Sequence, residues 1–183
     1  ADAFGHECAK RKIRHLFSSE DISRLLVAAS QLKPKETIRP ITYTTLFALL
    51  SSTGLRSCEA IRLNVDDLTI DGLMIRATKF RKDRLVPIHS STRQALKEYL
   101  NKRKQFSALE SAFFVSNNGS RLVYSTIISI YLQLMRSIGL RAKAGIPGPC
   151  LHDLRHSFAV RSLEQCCGTR IEISRQITAL STY

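Results

Sequence analysis

The spacing of hydrophobic and polar residues along the chain predicts a mainly helical domain with one small sheet. A first helix is predicted to begin at Ser18, because Asp21 follows three residues later in a capping-box pattern. Apolar residues then recur at the spacing of one helical face. The residues on this predicted inward face are Ile22, Leu25, Leu26 and Ala29.

Further elements follow from the same reasoning. A second helix is predicted from near Pro40 to Gly54, since proline favours the first helical turn and glycine the position after the last. A short helix is expected in "LRSCEAIRL". Longer helices are predicted in residues 90–106, with Ala95, Leu96 and Tyr99 inward, and in residues 125–140, ending at Gly139.

Two β-rich runs lie between these helices, "GLMIRAT" and "RLVPIH", and a basic segment separates them. This order predicts an antiparallel hairpin. A short extended segment, "AFFVS", precedes a turn at Asn117, Asn118 and Gly119. The predicted fold class is therefore α+β, mainly helical with a small antiparallel sheet. Residues 1–17 are expected to form a linker or arm, and residues 18–183 a single domain.

The net charge of the chain indicates which class of partner it binds. The chain of 183 residues has 28 Lys and Arg against 15 Asp and Glu, a formal net charge of +13. Such a balance favours nucleic acid, because Lys and Arg neutralise phosphates and release counterions. A basic surface without a partner remains an alternative. The apolar stretches are too short for a membrane span.

The cysteines indicate a reducing compartment. There are five, an odd number, and no C-x-x-C pair occurs among them. A disulfide framework or a zinc knuckle is therefore not expected, and an intracellular protein with reduced thiols fits best.

Several residues that could bind a ligand or transfer a proton lie close together in "CLHDLRHSFAVRSLEQCC", residues 150–167. His152 and His156 are four residues apart and would share a helix face, which allows a metal site, although no third ligand is evident. Arg155 beside His152 near a helix start instead favours binding of a phosphate. A third interpretation is an ordinary polar helix start, in which His152 and Asp153 cap the helix and Arg155 pairs with an acidic residue.

Two other segments favour the phosphate interpretation. In "TGLRSCE", Arg56 follows a glycine and Glu59 is spaced to pair with it, although such pairs are usually ordinary surface pairs. The predicted hairpin turn is basic and could reach a DNA groove. Its cations are Lys79, Arg81, Lys82 and Arg84.

Together and in this order, "TGLRSCE", "KFRKDRLVP" and "LHDLRHSFA" resemble the motifs of the tyrosine recombinases, the phage integrase family. The resemblance implies a catalytic domain of that type. It also implies site-specific DNA breakage and rejoining through a 3′-phosphotyrosyl intermediate, for integration or excision of a mobile element. Neither ATP nor a catalytic metal is implied. Double-stranded DNA is the implied partner, with a homotetramer of the parent protein acting on it in the bacterial cytoplasm, at the nucleoid. The fragment by itself could be a monomer.

The resemblance also implies catalytic roles. Arg56 and Arg155 would clamp the scissile phosphate, and His152 would help to hold or protonate it. Lys79 would be the general acid on the 5′ oxygen, with Lys82 as the substitute if the register differs.

The remaining motif residues have supporting and binding roles in this scheme. Glu59 would support the fold around Arg56, and His156 is expected to pack behind His152. Arg81, Lys82 and Arg84 would contact DNA.

The resemblance weakens near Tyr183, which lies 28 residues after Arg155 and has no histidine or tryptophan before it in its predicted helix. We therefore expect that Tyr183 is not the nucleophile and that the domain is incomplete at its C-terminus. A non-catalytic DNA-binding remnant and a type IB topoisomerase-like enzyme are the alternatives. The first predicts salt-dependent binding without a covalent adduct, and the second predicts relaxation of DNA without a defined site.

Overall fold

A computed structural model describes residues 14–76, 83–106, 111–142 and 148–165. Its elements follow one another as predicted, and they confirm a mainly helical α+β fold with a small antiparallel sheet. The bounds are α1 Ser19–Ser30, α2 Arg39–Thr53, α3 Ser57–Arg62, a 3-10 turn Val65–Asp67, β1 Leu73–Ile75, β2 Arg84–Val86, α4 Ser90–Arg103, α5 Tyr124–Ser137 and α6 His152–Glu164.

The start of α1 confirms the predicted capping box. The Ser18 hydroxyl accepts from the Asp21 backbone N–H at 3.0 Å, and an Asp21 carboxylate oxygen accepts from the Ser18 N–H at 3.0 Å. Leu25 and Ala29 are fully buried, so the predicted inward face is the one that packs on the core. The first backbone N–H groups of a helix have no partners within the helix, and the side chains of this capping box bond two such groups, those of Ser18 and Asp21.

Helix α2 is the centre of the domain. Helices α1, α4 and α6 all pack against it, which explains why its sequence is apolar on most sides rather than on one stripe. It ends at Gly54, whose φ of +64° lies in the left-handed region and whose N–H donates to the Leu50 carbonyl. This termination confirms the sequence prediction and turns the chain directly into the segment that carries Arg56.

The predicted hairpin is present. Strands β1 and β2 pair antiparallel with Leu73 opposite Val86 and Ile75 opposite Arg84. Leu73, Ile75 and Val86 are buried, so the sheet covers the core with one face. The turn that joins the strands, with Lys79, lies outside the described residues.

Helix α4 differs from prediction in one position. Leu96 and Tyr99 are buried, but Ala95 is exposed, so the expectation that it faces inward is wrong. Residues three apart lie near one face of a helix, whereas successive residues are turned by about 100°. Tyr99 therefore sets the inward face with Leu96.

The end of the predicted arm packs on the domain. Phe17 is only 3% exposed and belongs to the hydrophobic core. Its backbone N–H donates to the Ser157 hydroxyl on α6 at 2.8 Å. Residues 1–13 lie outside the described part of the chain, so the boundary at residue 17 stays a prediction.

Within the described ranges, no helix combines the length and apolar character that crossing a membrane would require.

Candidate active site

The turn after α2 presents the first arginine of the candidate site. Arg56 has extended backbone geometry just before α3, and Glu59 lies one helical turn further on. The Arg56 backbone N–H donates to Glu59 Oε2 at 2.9 Å, and its Nη1 donates to Oε1 at 3.0 Å. The pairing expected from their spacing is confirmed. The Arg56 side chain remains 40% exposed, which leaves its guanidinium accessible to a ligand.

A second arginine binds the same carboxylate. Arg84 donates from Nη1 to Glu59 Oε1 at 3.0 Å and from Nη2 to Oε2 at 2.9 Å. Its side chain is only 17% exposed. We expected Arg84 to contact DNA from the hairpin turn, but the structure places it beside Glu59 at the base of the hairpin. Sequence reasoning missed this pair, because 25 residues separate the partners.

These hydrogen bonds keep Glu59 ionised. Burial by itself raises the pKa of the Glu59 carboxyl, but the hydrogen bonds from Arg84 and Arg56 outweigh burial, so the pKa is lowered overall. One carboxylate shared by two guanidinium groups leaves the cluster with a net positive charge. That charge favours an anionic ligand.

Helix α6 brings the second motif to the same place. Arg155 Nη1 donates to the carbonyl oxygen of Gly54, the residue that ends α2. Arg161, further along α6, donates to the Ser51 carbonyl at 3.2 Å. Both carbonyls belong to the last turn of α2, where a helix has no partners of its own for these groups. Residues about 100 positions apart in sequence are thereby joined.

The approach of α6 depends on the absence of a side chain at Gly54. A Cβ built there would lie 2.3 Å from Cδ1 of Phe158, far inside van der Waals contact. The glycine thus has two functions: it allows the left-handed backbone and it admits the Phe158 ring. The sequence indicated only the first.

His152 begins α6 and is exposed. Its pKa is lowered, first by partial burial and then by the positive charges of Arg155, Arg14 and Arg56, with Asp153 acting in the opposite direction. Arg56 and Arg155 therefore both act on one imidazole. Arg14, from the predicted arm, is a nearby cation that the motif comparison did not single out.

Asp153 has a structural part in this arrangement. It is 4% exposed, and its Oδ2 accepts from the Cys150 backbone N–H at 2.8 Å. The N-cap residue of α6, Leu151, has no side-chain cap, so Asp153 instead ties the helix to the backbone just before it, beside the basic cluster. Among the described residues, no group of three His, Cys, Asp or Glu side chains is placed to hold a metal ion.

The expectation for His156 is wrong. Its side chain is exposed instead of packing behind His152 and Arg155. His156 lies four residues after His152 on α6, whereas the buried face of the helix carries Leu154 and Ser157. Lys79, Arg81, Lys82 and Tyr183 fall in segments beyond those that the structure describes.

We predict that His152 titrates below its ordinary value of 6.5 in the free protein. The imidazole is then neutral at pH 7, and a bound phosphate would raise its pKa, because an anion favours the protonated form. Proton uptake should accompany DNA binding, so affinity should increase as the pH falls toward 6.5. An NMR titration of the ring resonances measures the midpoint.

The variant Arg14→Gln provides the control for this titration. It removes one positive charge that acts on the imidazole, so the His152 midpoint should move upward. A midpoint above 6.5 in the free wild-type protein would contradict the electrostatic account of the cluster.

The chain has clear relatives among known proteins. The profile of the phage integrase family matches residues 15–171. The integrase/recombinase y4rB of Sinorhizobium fredii is 43% identical over 182 residues, which cover 95% of this chain and 58% of that protein. The chain thus spans a little over half the length of this relative.

Solved structures agree as well. The crystal structure of XerA recombinase superposes with a TM-score of 0.70 at 26% identity, over 90% of this chain and 56% of that one. A lambda integrase tetramer bound to a Holliday junction gives a TM-score of 0.63 at 20% identity, over 90% of this chain and 47% of that one. At that identity, the lambda structure shows the fold alone.

The fold is that of a tyrosine-recombinase catalytic domain, the class of DNA strand-transferring enzymes that the motifs had indicated. The chain belongs to the phage integrase family of tyrosine recombinases. The function of the family in general is site-specific DNA recombination.

Proposed function

We propose that this chain carries the phosphate-binding part of a recombinase that breaks and rejoins DNA at a specific site through a 3′-phosphotyrosyl intermediate. The observation that supports this proposal is the convergence of Arg56, Arg155 and His152. Arg155 is bound to the carbonyl of Gly54, two residues before Arg56, and both arginines act on the same imidazole.

In this scheme the two arginines bind the non-bridging oxygens of the scissile phosphate. Their charges are fixed in place before the reaction, Arg56 by Glu59 and Arg155 by the end of α2. Negative charge that develops as phosphorus becomes five-coordinate would meet donors that need little reorganisation. Neutral His152 can donate an N–H to one oxygen and accept a proton when charge develops.

The covalent step exchanges one phosphate ester for another. The tyrosine hydroxyl oxygen attacks phosphorus and loses its proton to neutral His152 or to water. The bond from phosphorus to the 5′ oxygen breaks, and the 5′ oxygen gains a proton. Lys79 is the proposed donor of that proton, with Lys82 as the substitute. Rejoining is the reverse reaction with the 5′ hydroxyl of another strand, so the phosphodiester energy is conserved and no external energy source is consumed.

Double-stranded DNA is the proposed partner, and a homotetramer is the proposed active assembly. The net charge of +13 supports the first part. The lambda integrase of the same fold, solved as a tetramer on a Holliday junction, supports the second.

The proposal is tested with the full-length gene product that contains this chain. DNA sites are first selected from a randomised duplex pool, and the labelled duplex is then incubated with protein and denatured. We expect a labelled protein band that survives denaturation and disappears after protease treatment, and mass spectrometry of the adduct identifies the attacking tyrosine.

Tight, salt-dependent binding without any adduct would refute the recombinase proposal and favour a DNA-binding remnant. Site-independent relaxation of supercoiled DNA would favour the topoisomerase alternative.

A further inference from the structure

We propose that Arg84 is a positioning residue for the strand-transfer reaction: through the Glu59 carboxylate, it holds the guanidinium of Arg56 in the orientation that binds the scissile phosphate. This inference rests on the proposed function, since it assigns the means by which one half of the phosphate clamp is kept in place.

The hydrogen-bond geometry around Glu59 supports the assignment. Each carboxylate oxygen accepts one bond from Arg84, at 3.0 and 2.9 Å, and one from Arg56, at 3.0 Å from its side chain and 2.9 Å from its backbone N–H. The bidentate bond from Arg84 fixes the plane of the carboxylate. That plane in turn determines where Nη1 of Arg56 is held.

Burial separates the two arginines in function. The Arg84 side chain is 17% exposed and the Arg56 side chain is 40% exposed. Arg84 is therefore mostly enclosed beside an ionised carboxylate that is itself 7% exposed, while Arg56 retains an open side. The buried guanidinium is suited to hold the carboxylate, and the open one to bind a ligand.

The backbone of Arg84 is held in place by the pairing of strands β1 and β2. It lies opposite Ile75 in the last described pair of the hairpin ladder, and Ile75 is 2% exposed. A strand paired in this way moves less than a surface loop does. Arg84 thus connects the sheet to the start of α3, across 25 residues of sequence.

The key variant is Arg84→Lys in the full-length protein. It keeps the charge, but a single ammonium cannot reproduce the bidentate bond. We expect the single-turnover rate of adduct formation, at saturating protein, to fall by about tenfold to hundredfold, because small misplacements of a catalytic group have effects of this size. DNA affinity should change by less than about threefold, because the Arg84 side chain is only 17% exposed and both of its Nη atoms donate to Glu59.

Arg76→Lys is the matched control. Arg76 lies on the other side of the same hairpin and pairs with a buried carboxylate, Asp67, at 2.6 Å. Asp67 is 3% exposed, and its two carboxylate oxygens accept from Arg76 Nε and from the Asn64 backbone N–H. The Arg76 side chain is 58% exposed, so the control should lower thermal stability by less than Arg84→Lys does. It should leave the rate of adduct formation near that of the wild type.

Two further measurements distinguish positioning from a loss of stability. Arg84→Ala with millimolar guanidinium added should recover adduct formation, whereas equal ammonium should not. In Arg84→Lys, the acidic limb of the pH–rate profile should move to higher pH. The pKa of Glu59 rises when the hydrogen bonds from Arg84 are lost, because among the described residues only Arg56 then remains as a cation bonded to the carboxylate.

The outcomes separate this inference from the function on which it rests. If wild-type protein binds DNA and forms no adduct, the proposed function fails. If wild type forms the adduct and Arg84→Lys matches it in rate and pH profile, the positioning role is refuted. Equal losses of rate in Arg84→Lys and Arg76→Lys, without guanidinium recovery, would also refute it and leave Arg84 a purely structural residue.

Discussion

Replacing Arg155 with alanine in the full-length protein is expected to reduce adduct formation by about a thousandfold or more. Arg155 is held at the end of α2 by its bond to the Gly54 carbonyl and acts electrostatically on His152. Its loss would remove one of two fixed charges from the phosphate site. The same expectation applies to Arg56→Ala, and the amount of labelled adduct formed over time measures both.

Arg161→Ala is a close control for Arg155→Ala. Arg161 lies on the same helix and also donates to a carbonyl in the last turn of α2, that of Ser51. It is not among the charges that chiefly lower the pKa of His152, which are those of Arg155, Arg14 and Arg56. Its removal should therefore weaken the contact between α2 and α6 similarly and leave most of the activity. DNA binding, measured at one fixed salt concentration, should persist in all three variants.

These results could contradict the assignment in two ways. An Arg155→Ala or Arg56→Ala protein that forms adduct at nearly the wild-type rate would show that the phosphate is bound elsewhere. If Arg161→Ala were as inactive as Arg155→Ala, the loss would reflect displacement of α6 rather than a missing charge.

Replacing Gly54 with alanine is expected to lower the free energy of unfolding by about 2 to 4 kcal/mol. Alanine there must adopt a φ of +64°, and its Cβ would lie 2.3 Å from the ring of Phe158. Either the ring or the whole of α6 must move, and Arg155 moves with α6. Chemical denaturation of the protein measures the change in stability.

Gly139→Ala separates the two causes. Gly139 has a φ of +76°, but nothing lies within 4 Å of a Cβ built there. This variant should therefore lose only about 1 kcal/mol, the cost of a left-handed alanine. Combining Gly54→Ala with Phe158→Leu should recover part of the loss, because the smaller side chain leaves room for the methyl group. Equal losses at the two glycines would show that the close approach of Phe158 does not matter.

Local patterns predicted most of the secondary structure. The capping pair Ser18 and Asp21, the termination at Gly54 and the hairpin strands all depend on residues near one another in sequence. The inward position of Ala95 was predicted wrongly, since helix periodicity alone leaves the angular position of the buried stripe uncertain by about one residue. Packing of Leu96 and Tyr99 against the core decided that position.

The candidate site was predictable only in part. The pairing of Arg56 with Glu59 is a helical-spacing contact, and the structure contains it. The role of Arg84 was not accessible in the same way, because its partner Glu59 belongs to another element. A basic residue beside a hairpin turn is ordinarily solvated, and nothing local distinguishes a buried arginine there from an exposed one. The exposure of His156 was likewise decided by how α6 packs.

The order of the helices and strands, the positive charge and the three motifs that indicate a recombinase could all be derived from the amino-acid sequence alone. This was possible because capping, periodicity and turn chemistry act over a few residues. Three contacts required the folded domain: Arg155 at the end of α2, Phe158 packed over Gly54, and Glu59 bound by two arginines. Such contacts join residues far apart in the chain, and they form only when the core brings their elements together.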